Sequence, residues 1–125
     1  MAVMPKKILI IEDDKFLAKM LSKSLESEKY EVTLAGNGKE GLDKVLQNGI
    51  DLVLLDVMLP DMDGFDLLEK IRGEVKVREL PIIIISNLGQ PEDVQRGKSL
   101  GAKDYLIKSD LSLDEILEKV KMYLK

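Results

Sequence analysis

The sequence predicts an α/β fold in which a doubly wound, five-stranded parallel sheet carries helices on both faces. Three observations lead to this class: apolar runs of strand length recur five times, segments with a helical period separate them, and the connections are short. Runs that are apolar throughout are typical of strands covered on both faces, as parallel strands are. Right-handed crossovers then place helices on both sides of the sheet.

The five predicted strands are short runs with few polar residues. They are Lys6–Ile11, Tyr30–Ala35, Asp51–Leu55, Pro81–Ile85 and Lys103–Ile107. The stretches ILII, LVLL and IIII contain no polar position, so we expect the first, third and fourth strands to be buried on both faces.

Four of the five predicted helices have an apolar stripe. The first runs from about Asp14 to Glu28, and Ser112 with Glu115 forms a capping box before the last. The stripes are Phe16, Leu17, Met20, Leu21 and Leu25; Leu42, Val45 and Leu46; Phe65, Leu67, Leu68 and Ile71; and Leu113, Ile116, Leu117, Val120 and Leu124.

The fourth predicted helix, PEDVQRGKSLGA, differs from the others in its apolar content. Between Pro91 and Gly101 only Val94 and Leu100 are sizeable apolar residues. We therefore expect marginal packing of this helix and regard it as a candidate moving element.

Composition excludes several classes of function. The 125 residues predict one domain, residues 1–125, with no output domain. The sequence has no cysteine and no histidine, which excludes disulfides, thiol nucleophiles, Ser-His hydrolase chemistry and most zinc sites. The net charge of −4 argues against direct nucleic-acid binding. Without a signal peptide or a membrane-length apolar run, we expect a cytoplasmic location and no membrane contact.

Polar residues collect at the carboxyl ends of the predicted strands, where ligands bind in such sheets. Glu12, Asp13 and Asp14 follow the first strand, Asp56 the third, Ser86 and Asn87 the fourth, and Lys108 the fifth. Crowded carboxylates need a cation, and hard oxygen ligands suit Mg²⁺. A carboxylate beside such a cation can attack a phosphoryl group, whose charge a lysine and a hydroxyl would stabilise.

With these residues in place, the sequence resembles a response-regulator receiver domain of two-component signalling over essentially its whole length. The motifs are short and lie in the family's order at the predicted strand ends. They are IIEDD with Glu12 and Asp13, LLDVMLPDMDG with Asp56, Pro60 and Gly64, IIIISN with Ser86, and GAKDYLIKS with Tyr105 and Lys108.

The resemblance implies a flavodoxin-like fold with strand order 2-1-3-4-5 and a role for each site residue. Asp56 would be the phosphoacceptor, with Lys108 and Ser86 contacting the phosphoryl oxygens. Ser86 and Tyr105 would form the switch that reports phosphorylation. Glu12, Asp13, Asp56 and the backbone carbonyl of Met58 would bind Mg²⁺.

The resemblance also implies a function and partners. Phosphorylation of Asp56 would shift the face formed by the fourth helix, the fifth strand and the fifth helix. The phosphodonor would be a sensor histidine kinase, a histidine phosphotransfer protein or a small molecule, since the chain has no histidine of its own. A downstream effector protein, or a phosphorylation-dependent homodimer, would read the output of this stand-alone receiver. Its enzymatic activity would be limited to self-phosphorylation and slow autodephosphorylation.

Two departures from the family keep alternatives open. Asn87 stands where the family usually has a small residue, and Ser109 stands where it usually has proline. One alternative is therefore a pseudo-receiver, an interaction module that works without phosphorylation. The other is a flavodoxin-like nucleotide or flavin binder.

Other motifs have simpler interpretations. GNGKEG, residues 36–41, fits the dinucleotide pattern G-x-G-x-x-G, but too little chain follows for two mononucleotide halves, so we interpret its glycines as turn and helix-entry residues. Asp14 is expected to cap the first helix. Turn chemistry and helix capping are expected to explain Asp61 and Asp63.

Overall fold

The strands form one parallel sheet in the order 2-1-3-4-5, which confirms the predicted fold. The structure is a computed structural model that describes residues 4–47 and 49–124. The strands are β1 (Lys7–Ile11), β2 (Glu31–Ala35), β3 (Leu52–Leu55), β4 (Ile82–Ser86) and β5 (Asp104–Ile107).

Five α-helices connect and flank the strands. They are α1 (Lys15–Ser27), α2 (Gly38–Gln47), α3 (Gly64–Gly73), α4 (Pro91–Ser99) and α5 (Leu113–Tyr123). Two short 3₁₀ turns lie at Val75–Val77 and Lys108–Asp110. Within the described ranges, no helix is both long enough and apolar enough to cross a membrane.

The register of the sheet sets which strand ends are neighbours. Ile11, the last residue of β1, pairs with Ala35 on one side and with Leu55 on the other. The residues that follow, Glu12 and Asp56, therefore leave adjacent strands at the same level. On the other side of β3, Ser86 pairs with Ile107, the residue before Lys108.

Alternation of side chains along the strands divides the core between the two faces of the sheet. On one face, α2 and α3 pack through Val45, Phe65, Leu67, Leu68 and Ile71. On the other, α1 and α5 pack through residues such as Leu21, Leu25, Ile116 and Val120. Since the runs ILII, LVLL and IIII contribute fully or nearly fully buried residues to both clusters, the predicted two-sided burial is confirmed.

Helix α1 differs from its prediction at two residues, Phe16 and Met20. Asp14 caps the helix as expected, accepting hydrogen bonds from the Phe16 and Leu17 amides at 3.0 and 3.1 Å. The prediction that Phe16 and Met20 belong to the buried stripe is wrong, because these residues are 75% and 37% exposed. Phe16 lies five positions before the buried Leu21, and Met20 lies five before the buried Leu25. At 3.6 residues per turn, each therefore points about 140° away from that buried residue.

Helix α4 attaches to its surroundings mainly through contacts other than its own apolar side chains. Gly97 is its one buried residue. The Arg96 guanidinium lies 4.5 Å from the centroid of the Phe65 ring on α3, and 3.9 and 4.0 Å from the carboxylates of Asp63 and Asp66. These contacts fit the predicted weak apolar packing of this helix.

Arg72 of α3 provides a second polar link toward the end of α4. Its guanidinium donates to the backbone carbonyls of Gly101 and Leu80, each at 2.7 Å. Burial lowers the pKa of this arginine. The segment after α4 is therefore held from α3, next to the start of β4.

Candidate functional site

Three carboxylates meet where β1 and β3 end. One oxygen each from Glu12, Asp13 and Asp56 lies within 4.8 Å of the others. The backbone amide of Asp56 donates to the carbonyl of Ile11 at 3.0 Å, which fixes the two strand ends relative to each other. Glu12 and Asp56 are each only 5% exposed, whereas Asp13 is open to solvent.

Lys108 contacts both buried carboxylates. Its Nζ lies 2.7 Å from Glu12 Oε1 and 2.8 Å from Asp56 Oδ2. Burial disfavours the charge on this ammonium, but its hydrogen bonds and its attraction to Asp56 and Glu12 outweigh burial and raise the pKa of Lys108. The ammonium therefore stays charged at neutral pH and partly balances the acids.

The site alters the titration of the buried Glu12. Burial raises its pKa to about 7, against the lowering effect of the hydrogen bond from Lys108, and repulsion from Asp56 acts in the same direction as burial. The second oxygen, Oε2, accepts a hydrogen bond from the Asp14 amide at 3.1 Å. Burial beside Asp56 thus disfavours the charged form of Glu12.

Asp56 is oriented by partners on both of its oxygens. Oδ2 faces Lys108, and Oδ1 accepts a hydrogen bond from the Met58 amide at 3.0 Å. The loop that follows, residues 57–63 (hereafter the β3–α3 loop), is closed at its base, where the Gly64 amide donates to the Val57 carbonyl at 2.8 Å. The Asp56 carboxylate is therefore held in one orientation by the start of this loop.

Ser86 and Tyr105 lie on the β4 and β5 side of Asp56, whereas Glu12 and Asp13 lie on its β1 side. Ser86 ends β4, is fully buried, and its Oγ accepts a hydrogen bond from the Leu88 amide at 3.2 Å. The Tyr105 hydroxyl donates to the Leu88 carbonyl at 2.6 Å, and burial raises the pKa of this phenol. Both side chains thus bind the same residue of the β4–α4 loop.

The inward position of Tyr105 depends on a close approach by α4. A Cβ at Gly97 would lie 2.8 Å from Tyr105 Cδ2 and 2.8 Å from Ile84 Cδ1. Only glycine lets the helix pack this closely on the ring. Sequence reasoning missed this residue, because a glycine in a weakly apolar helix gives no sign of what lies beneath it.

Asp61 and Asp63, the other two aspartates of LLDVMLPDMDG, both cap helices, as predicted. Asp63 caps α3, accepting from the Phe65 amide at 2.8 Å. Asp61 caps a different helix: it accepts from the amides of Gly38 and Lys39, at 2.7 and 3.0 Å, at the start of α2. A carboxylate thus occupies the position where a dinucleotide pyrophosphate would bind to GNGKEG, which argues against that interpretation.

The two departures from the family pattern lie at the surface. Asn87 is exposed beside Ser86, and Ser109 is exposed in the 3₁₀ turn that begins at Lys108. Lys108 reaches both carboxylates with serine following it. No described peptide bond is cis.

An open groove of about 640 Å³ gives access to this part of the molecule. It is lined by Asp13, by the β3–α3 loop and by Leu88. The groove therefore runs past the exposed acid toward the loop that Ser86 and Tyr105 contact.

Comparisons with known proteins agree with the fold. Residues 8–121 match the family model of the response regulator receiver domain. The chain is 39% identical over 119 residues to the response regulator ArlR of Staphylococcus saprophyticus, covering 95% of this chain and 52% of that protein. It is 37% identical over 118 residues to the uncharacterized transcriptional regulatory protein YkoG of Bacillus subtilis, covering 94% of this chain and 50% of that protein.

Among solved structures, a CheY-like response regulator receiver domain protein from Methanospirillum hungatei is similar throughout. The two share 34% of their residues with a TM-score of 0.89, covering 97% of this chain and 94% of that one. The chain spans about half the length of the curated relatives it matches. On the family match and these similarities, the chain belongs to the response regulator receiver domain family.

Proposed function

We propose that this receiver domain accepts a phosphoryl group on Asp56 in a Mg²⁺-dependent reaction and signals through the face formed by α4, β5 and α5. The observation that carries the proposal is the cluster of Glu12, Asp13 and Asp56 with Lys108 bridging the two buried acids. A lysine and a buried carboxylate in contact, beside an open groove, form a site suited to phosphoryl transfer.

The acidic cluster fits a magnesium ion. Its donors are hard carboxylate oxygens, and Asp13 is exposed, which leaves room for the waters that Mg²⁺ retains. We assign Glu12, Asp13, Asp56 and the Met58 carbonyl as the groups that would hold it. When bound, the ion would neutralise the acids and stabilise negative charge on the phosphoryl oxygens.

Asp56 supplies the nucleophilic oxygen. A bond forms between a carboxylate oxygen of Asp56 and the phosphorus atom, and the bond from phosphorus to the donor's leaving group breaks. The product is an aspartyl phosphate. Lys108 keeps its proton throughout and shifts its contact from the carboxylate toward the transferred group, where its charge stabilises the product.

Ser86 and Tyr105 couple the phosphoryl group to α4. The Ser86 hydroxyl accepts from the Leu88 amide and has its own O–H to donate, so a rotation of Ser86 that brings this O–H to a phosphoryl oxygen would change the contact with Leu88. Because Tyr105 binds the Leu88 carbonyl, a change in this loop is transmitted to the ring beneath Gly97. The result is a population shift of a weakly packed helix.

We propose that the donor and the reader lie outside these 125 residues. They contain no histidine, so a phosphohistidine donor would be a sensor histidine kinase or a histidine phosphotransfer protein, with small-molecule phosphodonors as the alternative. The relatives ArlR and YkoG are a response regulator and a transcriptional regulatory protein, each about twice as long as the matched region. For this chain we propose a protein partner or a second copy as the reader, with no direct nucleic-acid contact by residues 4–124.

The proposal is tested by intact-mass measurement after incubation with acetyl phosphate, with Mg²⁺ or with EDTA. We expect one phosphoryl adduct that requires Mg²⁺ and is absent from Asp56→Asn. Asp43→Asn, which removes an exposed acid of α2, is the matched control and should be phosphorylated like the wild type. A folded wild-type protein that gains no adduct would contradict the proposal and favour the pseudo-receiver interpretation.

A further inference from the structure

The β3–α3 loop is fixed at its tip as well as at its base. At the base, a Cβ on Gly64 would lie 2.8 Å from the Asp56 carbonyl oxygen, so the chain can close there only with glycine. At the tip, Asp61 and Met62 contact the first turn of α2. Met58, whose carbonyl we assign to the metal, lies between these two attachments.

The polar part of the tip contact uses both oxygens of one carboxylate. Asp61 Oδ1 accepts from the Gly38 amide at 2.7 Å, and Oδ2 accepts from the Lys39 amide at 3.0 Å. These amides are among the N–H groups that a helix start leaves without an intrahelical partner. The negative charge also faces the positive end of the helix. The contact is thus specific for a carboxylate at this position of the loop.

The apolar part of the tip contact requires glycine in α2. Gly38 is buried, and a Cβ there would lie 2.6 Å from Met62 Sδ. Met62 itself is partly buried against the core. The thioether thus occupies the space that any side chain at position 38 would need.

The same turn of α2 also packs against β1, the strand that precedes Glu12 and Asp13. A Cβ on Gly41 would lie 2.6 Å from Cδ1 of Ile11, the last residue of β1 and the neighbour of Glu12. Gly38 and Gly41 therefore face the two parts of the chain that supply the assigned metal ligands. This accounts for the GNGKEG motif, which binds no dinucleotide in this interpretation.

We propose that the first turn of α2 is a brace that holds the β3–α3 loop against the end of β1, and that Asp61, Met62 and Gly38 are positioning residues for Mg²⁺ binding. The inference rests on the proposed function, since it concerns the geometry of that site. Mg²⁺ requires near-ideal octahedral coordination, so a small displacement of the Met58 carbonyl from Glu12 and Asp13 lowers affinity. None of the three positioning residues is assigned as a ligand.

The first test removes the carboxylate. Asp61→Ala is compared with Asp61→Asn, which keeps one acceptor, and with Asp43→Ala, which removes an exposed acid from the same helix. Hydrogen exchange of the Gly38 and Lys39 amides and the Mg²⁺ dissociation constant are both measured on unphosphorylated protein. For Asp61→Ala we expect faster exchange of both amides and about tenfold weaker Mg²⁺ binding, the lower end of what supporting residues around a metal site contribute. Asp61→Asn should be intermediate, and Asp43→Ala should match the wild type.

The second test fills the space under Met62. Gly38→Ala should weaken Mg²⁺ binding because its Cβ displaces Met62 and with it the loop. Adding Met62→Ala should recover part of the lost affinity, because the smaller side chain makes room for the Cβ while the Asp61 hydrogen bonds still hold the loop, but not all of it, because the Met62 contact is lost. The matched control is Gly36→Ala, in the same motif, where a Cβ would meet nothing within 4 Å. The phosphorylation rate at saturating Mg²⁺ should stay within about twofold of wild type in all these variants, since the reacting groups are unchanged.

Two outcomes distinguish a failure of the brace proposal from a failure of the proposed function on which it rests. If Asp61→Ala exposes the Gly38 and Lys39 amides but leaves the Mg²⁺ dissociation constant unchanged, Asp61 only caps α2 and the brace is overturned. If the wild type protects these amides but binds no Mg²⁺, the proposed function is overturned and the inference with it. The amide measurement needs no metal, so the two failures are distinguishable.

Discussion

At the scale of single residues, Lys108 and Glu12 determine the charge that surrounds Asp56. Burial raises the pKa of Glu12, while Lys108 remains charged between it and Asp56. The positions of these residues at strand ends predict that the lysine and the acids lie at the same edge of the sheet. The sequence could not predict that the one ammonium contacts both Glu12 and Asp56.

Replacing Lys108 tests its contribution to phosphoryl transfer. Lys108→Met keeps most of the side-chain volume and removes the charge that faces Asp56 and Glu12. We expect the phosphorylation rate at saturating acetyl phosphate to fall about 100-fold, the usual effect of losing one preorganised donor. Circular dichroism checks the fold, and Lys98→Met, on the exposed surface of α4, is the control. A rate within a few-fold of wild type would assign the Lys108 contacts to structure alone.

The lowered pKa of Asp104 predicts that the free energy of unfolding depends on pH. Burial disfavours its charge, but hydrogen bonds from Lys119, the Tyr105 amide and Tyr123 outweigh burial and lower its pKa. A carboxyl group with a lowered folded-state pKa stabilises the fold above its unfolded value of 3.8, and this contribution is lost as the pH falls below that value.

The free energy of unfolding, measured with urea at pH 7 and pH 3, tests this assignment. The loss on acidification should be smaller in Asp104→Asn than in the wild type. Asp114→Asn, which removes an exposed acid of α5, should behave like the wild type. Equal losses in all three proteins would show that the Asp104 contacts carry no linked stability.

At the scale of elements, α4 illustrates what the sequence could and could not predict. Its position and its low apolar content were predicted from PEDVQRGKSLGA, because those depend on residue types in one segment. The contacts of Arg96 with Phe65, Asp63 and Asp66, and of Gly97 with Tyr105, join segments that are distant along the chain. Periodicity carries no information about such pairs.

Gly97→Ala tests the close approach of α4 to Tyr105. Alanine favours a helix over glycine by about 1 kcal/mol, but its Cβ would overlap Tyr105 and Ile84, and overpacking a core typically costs about 1–3 kcal/mol. We therefore expect a net loss in the free energy of unfolding and a shift of the Tyr105 ring resonances in NMR spectra. Gly73→Ala, where a Cβ would meet nothing within 4 Å, should be neutral or stabilising. A gain in stability for Gly97→Ala would contradict the packing described here.

On the scale of the whole molecule, the sequence was most informative where a single pattern repeats. Buried runs and helical stripes located the strands and helices, and strand order followed from the family resemblance rather than from periodicity. Phe16 and Met20 were misassigned because each lies five positions before a buried leucine, and side chains five positions apart on a helix point about 140° apart. The partner of Asp61, 23 residues away, could not be found, since any exposed helix start would accept a carboxylate equally well.

Magnesium should stabilise the whole fold through mass action. A ligand at 100 times its dissociation constant adds about 2.7 kcal/mol to the free energy of unfolding. Thermal unfolding at pH 7.5 should therefore shift upward with MgCl₂ but not with NaCl of equal ionic strength. Asp13→Asn, which removes an exposed carboxylate of the cluster, should lose most of the shift. An unchanged shift in that variant would place the bound cation elsewhere.

The most direct measurement identifies the residue that carries the phosphoryl group. Borohydride reduces an aspartyl phosphate to homoserine, so protein treated with acetyl phosphate and Mg²⁺ can be reduced, digested and sequenced by mass spectrometry. We expect homoserine at position 56 and at no other aspartate, with none in the EDTA-treated sample. Homoserine at position 13, 61 or 63, or none at all in folded protein, would contradict the assignment of Asp56 as the phosphoacceptor.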